Sequence, residues 1–332
     1  MHSWQYLLKG AITDVGELYR EVTLNANNLK LLSQQTQKKI TDQFPLLVPK
    51  AFVTRMEKGN PKDPLLLQVL PQKKELVNFP DYQIDPLNEK QSNIMPGLLH
   101  KYYGRVLLTL SGACAIHCRY CFRRYFPYKE NTPGKRGWSQ VFNYLRSNTS
   151  VTEVILSGGD PLMIKDDTLI EFISSLEKIT HLRRLRIHTR LPIVIPERIT
   201  DTFLNLLNCT RLLPIIVVHC NHPNEIDKSV IKSLSSLQKT RATLLNQSVL
   251  LKDINNKSEV LIRLSEDLFE IGVLPYYLHS LDRVHGAAHF EVSEIEARCL
   301  IKKMMKRLPG YLVPKLVRES TSAPAKVPIS IL

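Results

Sequence analysis

Short apolar runs of β character recur along the chain from about residue 105. The predicted strands are Val106 to Leu110, Val154 to Leu156, Leu185 to His188, Ile215 to Val218, Thr243 to Leu245 and Leu274 to Leu278. Turn residues bound each run. The intervening segments carry apolar positions at helical spacing, as in Trp138 to Leu145, Leu169 to Leu176, Ile226 to Leu237 and Val260 to Ile271. Strands separated by helices pair in parallel, through right-handed crossovers. Six such units are fewer than the eight that close a barrel, so the pattern predicts an α/β fold with an open or partial (βα)6 barrel. Pro275 lacks a backbone donor, which puts the sixth strand at an edge or a bulge. A last helix, Ser293 to Leu308, is predicted to lead to a closing strand at Tyr311 to Val317.

The first 95 residues follow another pattern. Val15, Leu18, Tyr19 and Val22 recur at helical spacing, Gly59 to Pro64 is turn punctuation, and prolines between Pro71 and Pro96 suggest an extended connection. The expected organisation is an N-terminal helical and loop extension (1–95), the partial barrel (96–308) and a short C-terminal closing segment (309–332).

Composition narrows the class without naming a function. Of 332 residues, 43% are hydrophobic and 23% charged, which excludes disordered, collagen-like and coiled-coil chains. No apolar run reaches the roughly 18 residues of a membrane span. The first nine residues hold too short an apolar stretch for a signal peptide, so the expected compartment is the cytoplasm. The net charge of +14 implies attraction to anions. Clusters such as Arg183-Arg184-Leu185-Arg186 and Lys302-Lys303 read as solvated faces.

In parallel α/β architectures the chemistry lies just beyond the strand ends. After the first predicted strand comes Cys114-Ala115-Ile116-His117-Cys118-Arg119-Tyr120-Cys121, which holds three of the six cysteines within eight residues. Thiolates at this spacing can ligate three irons of a cubane cluster and leave the fourth iron open to a substrate. Zinc is the competing reading, but it needs a fourth ligand, and His117 is poorly placed between two cysteines. Arg119, Arg123 and Arg124 flank the loop and can hold anionic groups near it. The scattered Cys209, Cys220 and Cys299 are expected in the core.

The Cys-x3-Cys-x2-Cys spacing, with an aromatic residue before the third cysteine, resembles the radical S-adenosylmethionine (SAM) superfamily. In that superfamily the open iron chelates SAM, whose reductive cleavage yields a 5′-deoxyadenosyl radical. Ser157-Gly158-Gly159-Asp160-Pro161 follows the second predicted strand and looks like the segment that binds the SAM amino group. Further motifs narrow the likeness: Lys101-Tyr102-Tyr103-Gly104-Arg105, Cys121-Phe122-Arg123-Arg124, the stretch from His219 to Glu225, Asn246 to Leu251, Pro275-Tyr276-Tyr277, and Gly286 to Phe290. In this order, from about residue 95 to 326, they resemble the lysine 2,3-aminomutase family. Met56 to Pro61 and the short C-terminus are most similar to the branch that supplies (R)-β-lysine for modification of translation elongation factor P.

The resemblance implies a radical SAM isomerase that moves the amino group of L-lysine from carbon 2 to carbon 3. It implies a [4Fe-4S] cluster on Cys114, Cys118 and Cys121, and SAM beside Gly158, Gly159, Asp160, His219 and Gln247. It also implies pyridoxal 5′-phosphate (PLP), with Lys326 as its Schiff-base lysine and Lys101, Tyr102 and Arg105 on its phosphate. Arg123 would pair with the substrate carboxylate, and Asp282 and Glu319 with the distant ammonium. The partners implied are L-lysine, elongation factor P with its lysyl-ligase, and an electron donor, without membrane or nucleic acid. Two other readings stand beside this one: another radical SAM enzyme, such as an RNA-modifying one, and a non-enzymatic iron-sulfur module. Lys326 together with Asp282 separates them, because RNA chemistry needs neither.

Overall fold

The computed structural model describes residues 3–24, 33–321 and 323–331; Met1 and His2, the first two of the nine N-terminal residues whose apolar run is too short for a signal peptide, lie outside them. Ten strands form one sheet in sequence order: β1 (Asn93–Met95), β2 (Leu98–Tyr102), β3 (Arg105–Thr109), β4 (Glu153–Ser157), β5 (Arg184–Thr189), β6 (Leu213–Val218), β7 (Thr243–Val249), β8 (Leu274–His279), β9 (Lys315–Arg318) and β10 (Val327–Pro328). Strands β3 to β9 are parallel, and β1, β2 and β10 add antiparallel pairs at the two ends. The two outer strands do not pair with each other, so the sheet is not closed.

The six predicted strands correspond to β3 to β8. The helices Gly134–Ser147, Asp166–Glu177, Asp201–Cys209, Lys228–Gln238 and Ser258–Glu270 fall between them. The predicted connection before residue 96 partly pairs instead, as β1 against β2. The closing strand is shorter than predicted, because Gly310–Leu312 forms a 3-10 turn and pairing with β8 begins at Lys315. Pro275 sits at a bulge. Asn246 faces Pro275 and Gln247 faces Tyr277, which leaves Tyr276 as the extra residue of an interior strand.

Side-chain alternation explains how the sheet serves two environments. Val106, Leu108, Val154, Leu156, Leu185, Ile187, Ile216 and Val218 point outward into one core shared with Trp138, Leu145, Leu169, Phe172, Val230 and Leu234 of the helices. The N-terminal region joins the same core through Trp4, Ile12, Val15, Leu18, Phe52 and Leu65. The opposite alternation, Arg105, Glu153, Arg186, His188, Gln247, Tyr277 and His279, lines a cavity inside the curve of the sheet. Among the described residues no helix is long and apolar enough to cross a membrane.

Candidate functional site

The interior cavity measures about 640 Å³. Cys114, Cys118 and Cys121 line it, and so do Lys101, Tyr102, Arg105, Arg123, Gly158, Asp160, His219, Gln247, Asp282, Glu319 and Lys326. Residues spread over more than 220 positions of sequence thus surround one space. Of the residues expected to hold the cluster, SAM, PLP or lysine, Gly159 alone lies outside that lining, and it packs behind the cysteine loop.

The cysteine loop is anchored on both sides. His117 N donates to Leu47 O at 2.9 Å, and Arg119 N donates to Gln68 O at 2.8 Å. From the other side, Gly159 N and Asp160 N donate to Ser111 O and Ala113 O at 3.1 and 2.8 Å. Burial, reinforced by the neighbouring cysteines, pushes the Cys114 thiol well up and the Cys121 thiol to about 11. Three thiolates here would repel one another, so they require a cationic centre between them; this fits iron ligation. Among the described residues no three His, Cys, Asp or Glu side chains gather around one point as ligands of a single ion would. Cluster ligands differ in binding separate irons. His117 turns away, with Nδ1 2.9 Å from Pro45 O and its ring stacked on Phe44.

Only one of the three flanking arginines lines the cavity. Arg119 and Arg124 are both spent on buried Glu75, at 2.5 and 2.9 Å. Arg123 does face the cavity, yet Glu89 already holds it through two hydrogen bonds, at 2.8 and 2.6 Å. Its Nη1 also donates to Ser157 Oγ at 3.3 Å. Arg186, read from sequence as part of a solvated cluster, lines the interior cavity and pairs with Glu153 at 2.6 Å. Its place in an alternating strand, Arg184-Leu185-Arg186-Ile187-His188, was the signal for that. Of the cysteines expected in the core only Cys220 is buried; Cys209 and Cys299 are exposed, so the bare composition argument fails for them.

The paired glycines have a packing reason. Gly158 has φ +110°, and a Cβ there would lie 2.5 Å from Thr109 Cγ2. A Cβ on Gly159 would lie 2.6 and 2.7 Å from the carbonyl oxygens of Ala113 and Ser111. Only glycine lets this turn lie flat against the cysteine loop. Gly159→Ala is therefore expected to destabilise the fold by roughly 1–3 kcal/mol. It should also lower the iron bound per chain, because the displaced carbonyls adjoin Cys114; a melting curve and iron analysis read the two effects. The Asp160 carboxylate is occupied by Thr189 Oγ1 at 2.8 Å, Arg190 N at 2.7 Å and Leu162 N at 3.0 Å. It ties the turn to the end of β5.

At the far side of the cavity, Glu319 gathers Lys326, Lys101 and Tyr102. Lys326 Nζ donates to Oε2 at 2.9 Å, Lys101 Nζ lies 3.5 Å from Oε1, and the Tyr102 hydroxyl donates to Oε1. Arg105 stacks over the Tyr102 ring at 4.8 Å. Burial works against the charged form of Glu319, but Lys326, Tyr102 and Lys101 outweigh it and hold its pKa at about 2. Asp282 behaves oppositely. Burial pushes its pKa up to about 7 against the pull of Lys326 and Lys101, with Glu319 and Glu89 adding to the rise. Two carboxylates in one cavity are thus set apart, one ionised and one near its midpoint at neutral pH.

His219 is half-buried and neutral. Burial and the Arg190 charge hold its pKa at about 3, and its Nε2 lies 3.1 Å from the Tyr120 hydroxyl. Gln247 Nε2 lies 3.4 Å from His188 Nδ1. Strand-end reasoning missed Arg190, although it directly follows β5. It also missed His188 and His279, whose Nε2 atoms are buried without a hydrogen-bond partner. Orphaned polar atoms facing a cavity fit a space meant for polar ligands.

A sequence profile described as a 4Fe-4S single cluster domain matches residues 103–189. The L-lysine 2,3-aminomutase of Escherichia coli (strain K12) is 48% identical over 328 residues, covering 99% of this chain and 94% of that protein. That of Haemophilus influenzae is 48% identical over 324 residues, covering 98% and 94%. That of Clostridium subterminale is 30% identical over 331 residues, covering 99% and 78%.

Proposed function

The chain belongs to the lysine 2,3-aminomutase family of radical SAM enzymes, and from that premise we propose how its cavity converts L-lysine to (R)-β-lysine. The cofactors are a [4Fe-4S] cluster, SAM and PLP. The observation that carries the reading is the shared cavity, in which the cysteine trio and Lys326 face one space. When bound, the cluster and SAM supply a hydrogen-abstracting radical, and PLP spreads the unpaired electron while the amino group shifts between adjacent carbons.

The protein's own task is positioning and exclusion of water. Cys114, Cys118 and Cys121 hold the cluster. The Gly158 turn, with Gly159 and Asp160 bracing it, shapes the SAM side together with His219 and Gln247. Lys326 tethers PLP, and Lys101, Tyr102 and Arg105 present two cations and a hydroxyl to its phosphate. Lysine is gripped at both ends. Arg123, held in place by Glu89, offers its remaining N–H capacity to the carboxylate. Asp282 and Glu319 face the distant ammonium, and such acids distinguish lysine from glutamate or alanine. Met56 to Pro61 supports placing the enzyme among those that supply β-lysine for modification of elongation factor P. Its functional partners are then the factor, its lysyl-ligase and an electron donor, and its compartment is the cytoplasm.

The test is anaerobic reconstitution with iron and sulfide, followed by PLP, SAM, a reductant and isotopically labelled L-lysine. Labelled β-lysine is the expected product. Turnover of RNA with lysine left untouched would overturn the reading.

Asp282 yields a pH prediction. Its carboxyl must be ionised to hold an ammonium, and its pKa of about 7 leaves it mostly protonated in acid. The KM for lysine should then fall roughly tenfold per unit as pH rises towards 7 and level off above it. In Asp282→Asn that slope should vanish and lysine use should drop, while SAM cleavage without amino acid changes little. Equal losses in both reactions would refute the ammonium role.

A further inference from the structure

Arg190 follows β5 and is buried at the centre of a polar network. Its guanidinium has two terminal nitrogens with different tasks. Nη2 donates to Glu225 Oε2 at 2.9 Å and to Gln68 Oε1 at 2.6 Å. Nη1 donates to Cys118 Sγ at 2.7 Å and to the Tyr120 hydroxyl at 3.0 Å. That hydroxyl reaches His219 Nε2 and receives a hydrogen bond from Asn221 Nδ2 at 2.6 Å. The planar group stacks on Phe52 at 5.3 Å, and the backbone N–H is fixed by Asp160 at 2.7 Å. A counter-ion for Glu225 alone would need only the Nη2 side. The Nη1 side is spent on a sulfur that ligates the cluster and on the phenol that orients His219.

We infer that Arg190 is a positioning residue for the radical-generating step: its N–H···S bond to Cys118 raises the reduction potential of the cluster, and its Tyr120 bond keeps His219 aimed at the SAM side. An N–H donated to a ligand sulfur draws off electron density and favours the reduced cluster, which carries one more negative charge. No ammonium can reproduce the geometry, because one planar fork serves the sulfur and the carboxylate together. The inference rests on the cysteine trio holding a cluster.

The test compares wild type with Arg190→Lys and with Glu225→Gln, each reconstituted anaerobically. Reduction is followed by electron paramagnetic resonance at stepped potentials. Glu225→Gln removes the buried counter-charge and keeps the sulfur contact, so it should lower the melting temperature without lowering the potential. Arg190→Lys should shift the reduced-to-oxidised ratio about tenfold towards oxidised at the wild-type midpoint, near 59 mV for one electron. SAM cleavage in the absence of lysine should slow with it at a fixed reductant potential. If Arg190→Lys assembles no cluster, Arg190→Gln is titrated in its place. An Arg190 variant that holds the cluster at the wild-type potential overturns the inference. So does failure of both folded variants to hold one, since the role is then structural. Absence of a [4Fe-4S] cluster from wild type would instead bring down the parent reading.

Discussion

Cys118→Ala is expected to give a folded protein with no [4Fe-4S] cluster and no β-lysine formation. The loss should be complete rather than graded, since two remaining thiolates leave two irons without a protein ligand. Cys118 also carries the Arg190 hydrogen bond, so its removal disconnects the cluster side from the Tyr120–His219 pair. The fold itself should persist, because the loop is anchored by backbone bonds to Leu47, Gln68 and the glycine turn. Iron and sulfide analysis, resonance spectra after reduction and labelled-lysine turnover measure this together. The exposed Cys209 and Cys299 are the controls, and their alanine variants should match wild type. A cluster of full iron content in Cys118→Ala would remove the basis of the mechanism.

Lys326→Ala should separate the two halves of the cavity. Cluster content and SAM cleavage are expected to survive, while PLP is no longer trapped by borohydride. Lysine turnover should fall by at least roughly a hundredfold, the cost that even a small misplacement of reacting groups incurs. Glu319 keeps Tyr102 and Lys101 as partners, so the site should not collapse around an unpaired charge. Mass mapping of the trapped adduct in wild type gives the independent check. An adduct on any other lysine would displace Lys326 from its role.

Much of the site was legible because its signals are local. The three cysteines and the two glycines each lie on one loop, where a few residues of spacing fix what can be brought together. The six central parallel strands β3 to β8 were legible for the same reason, since turn residues and apolar alternation repeat within short windows, whereas the short antiparallel strands β1, β2 and β10 were not. Arg123 shows where this stops. The sequence marks it as a cation beside the cysteines, and nothing near it indicates that Glu89 would already occupy its fork. Arg119 and Arg124 look equivalent to it, and burial against Glu75 removes them from the cavity.

The chain alone therefore determined the α/β repeat, the three-cysteine loop and the family, because these depend on residue type and short-range spacing. Tertiary structure decided which charges meet. It set Asp282 near its midpoint and Glu319 fully ionised, turned Arg186, His188 and His279 inward, and laid Arg190 across a sulfur and a carboxylate. Those outcomes depend on burial and on partners from strands far apart in sequence, and electrostatic energy follows distance and solvent exposure.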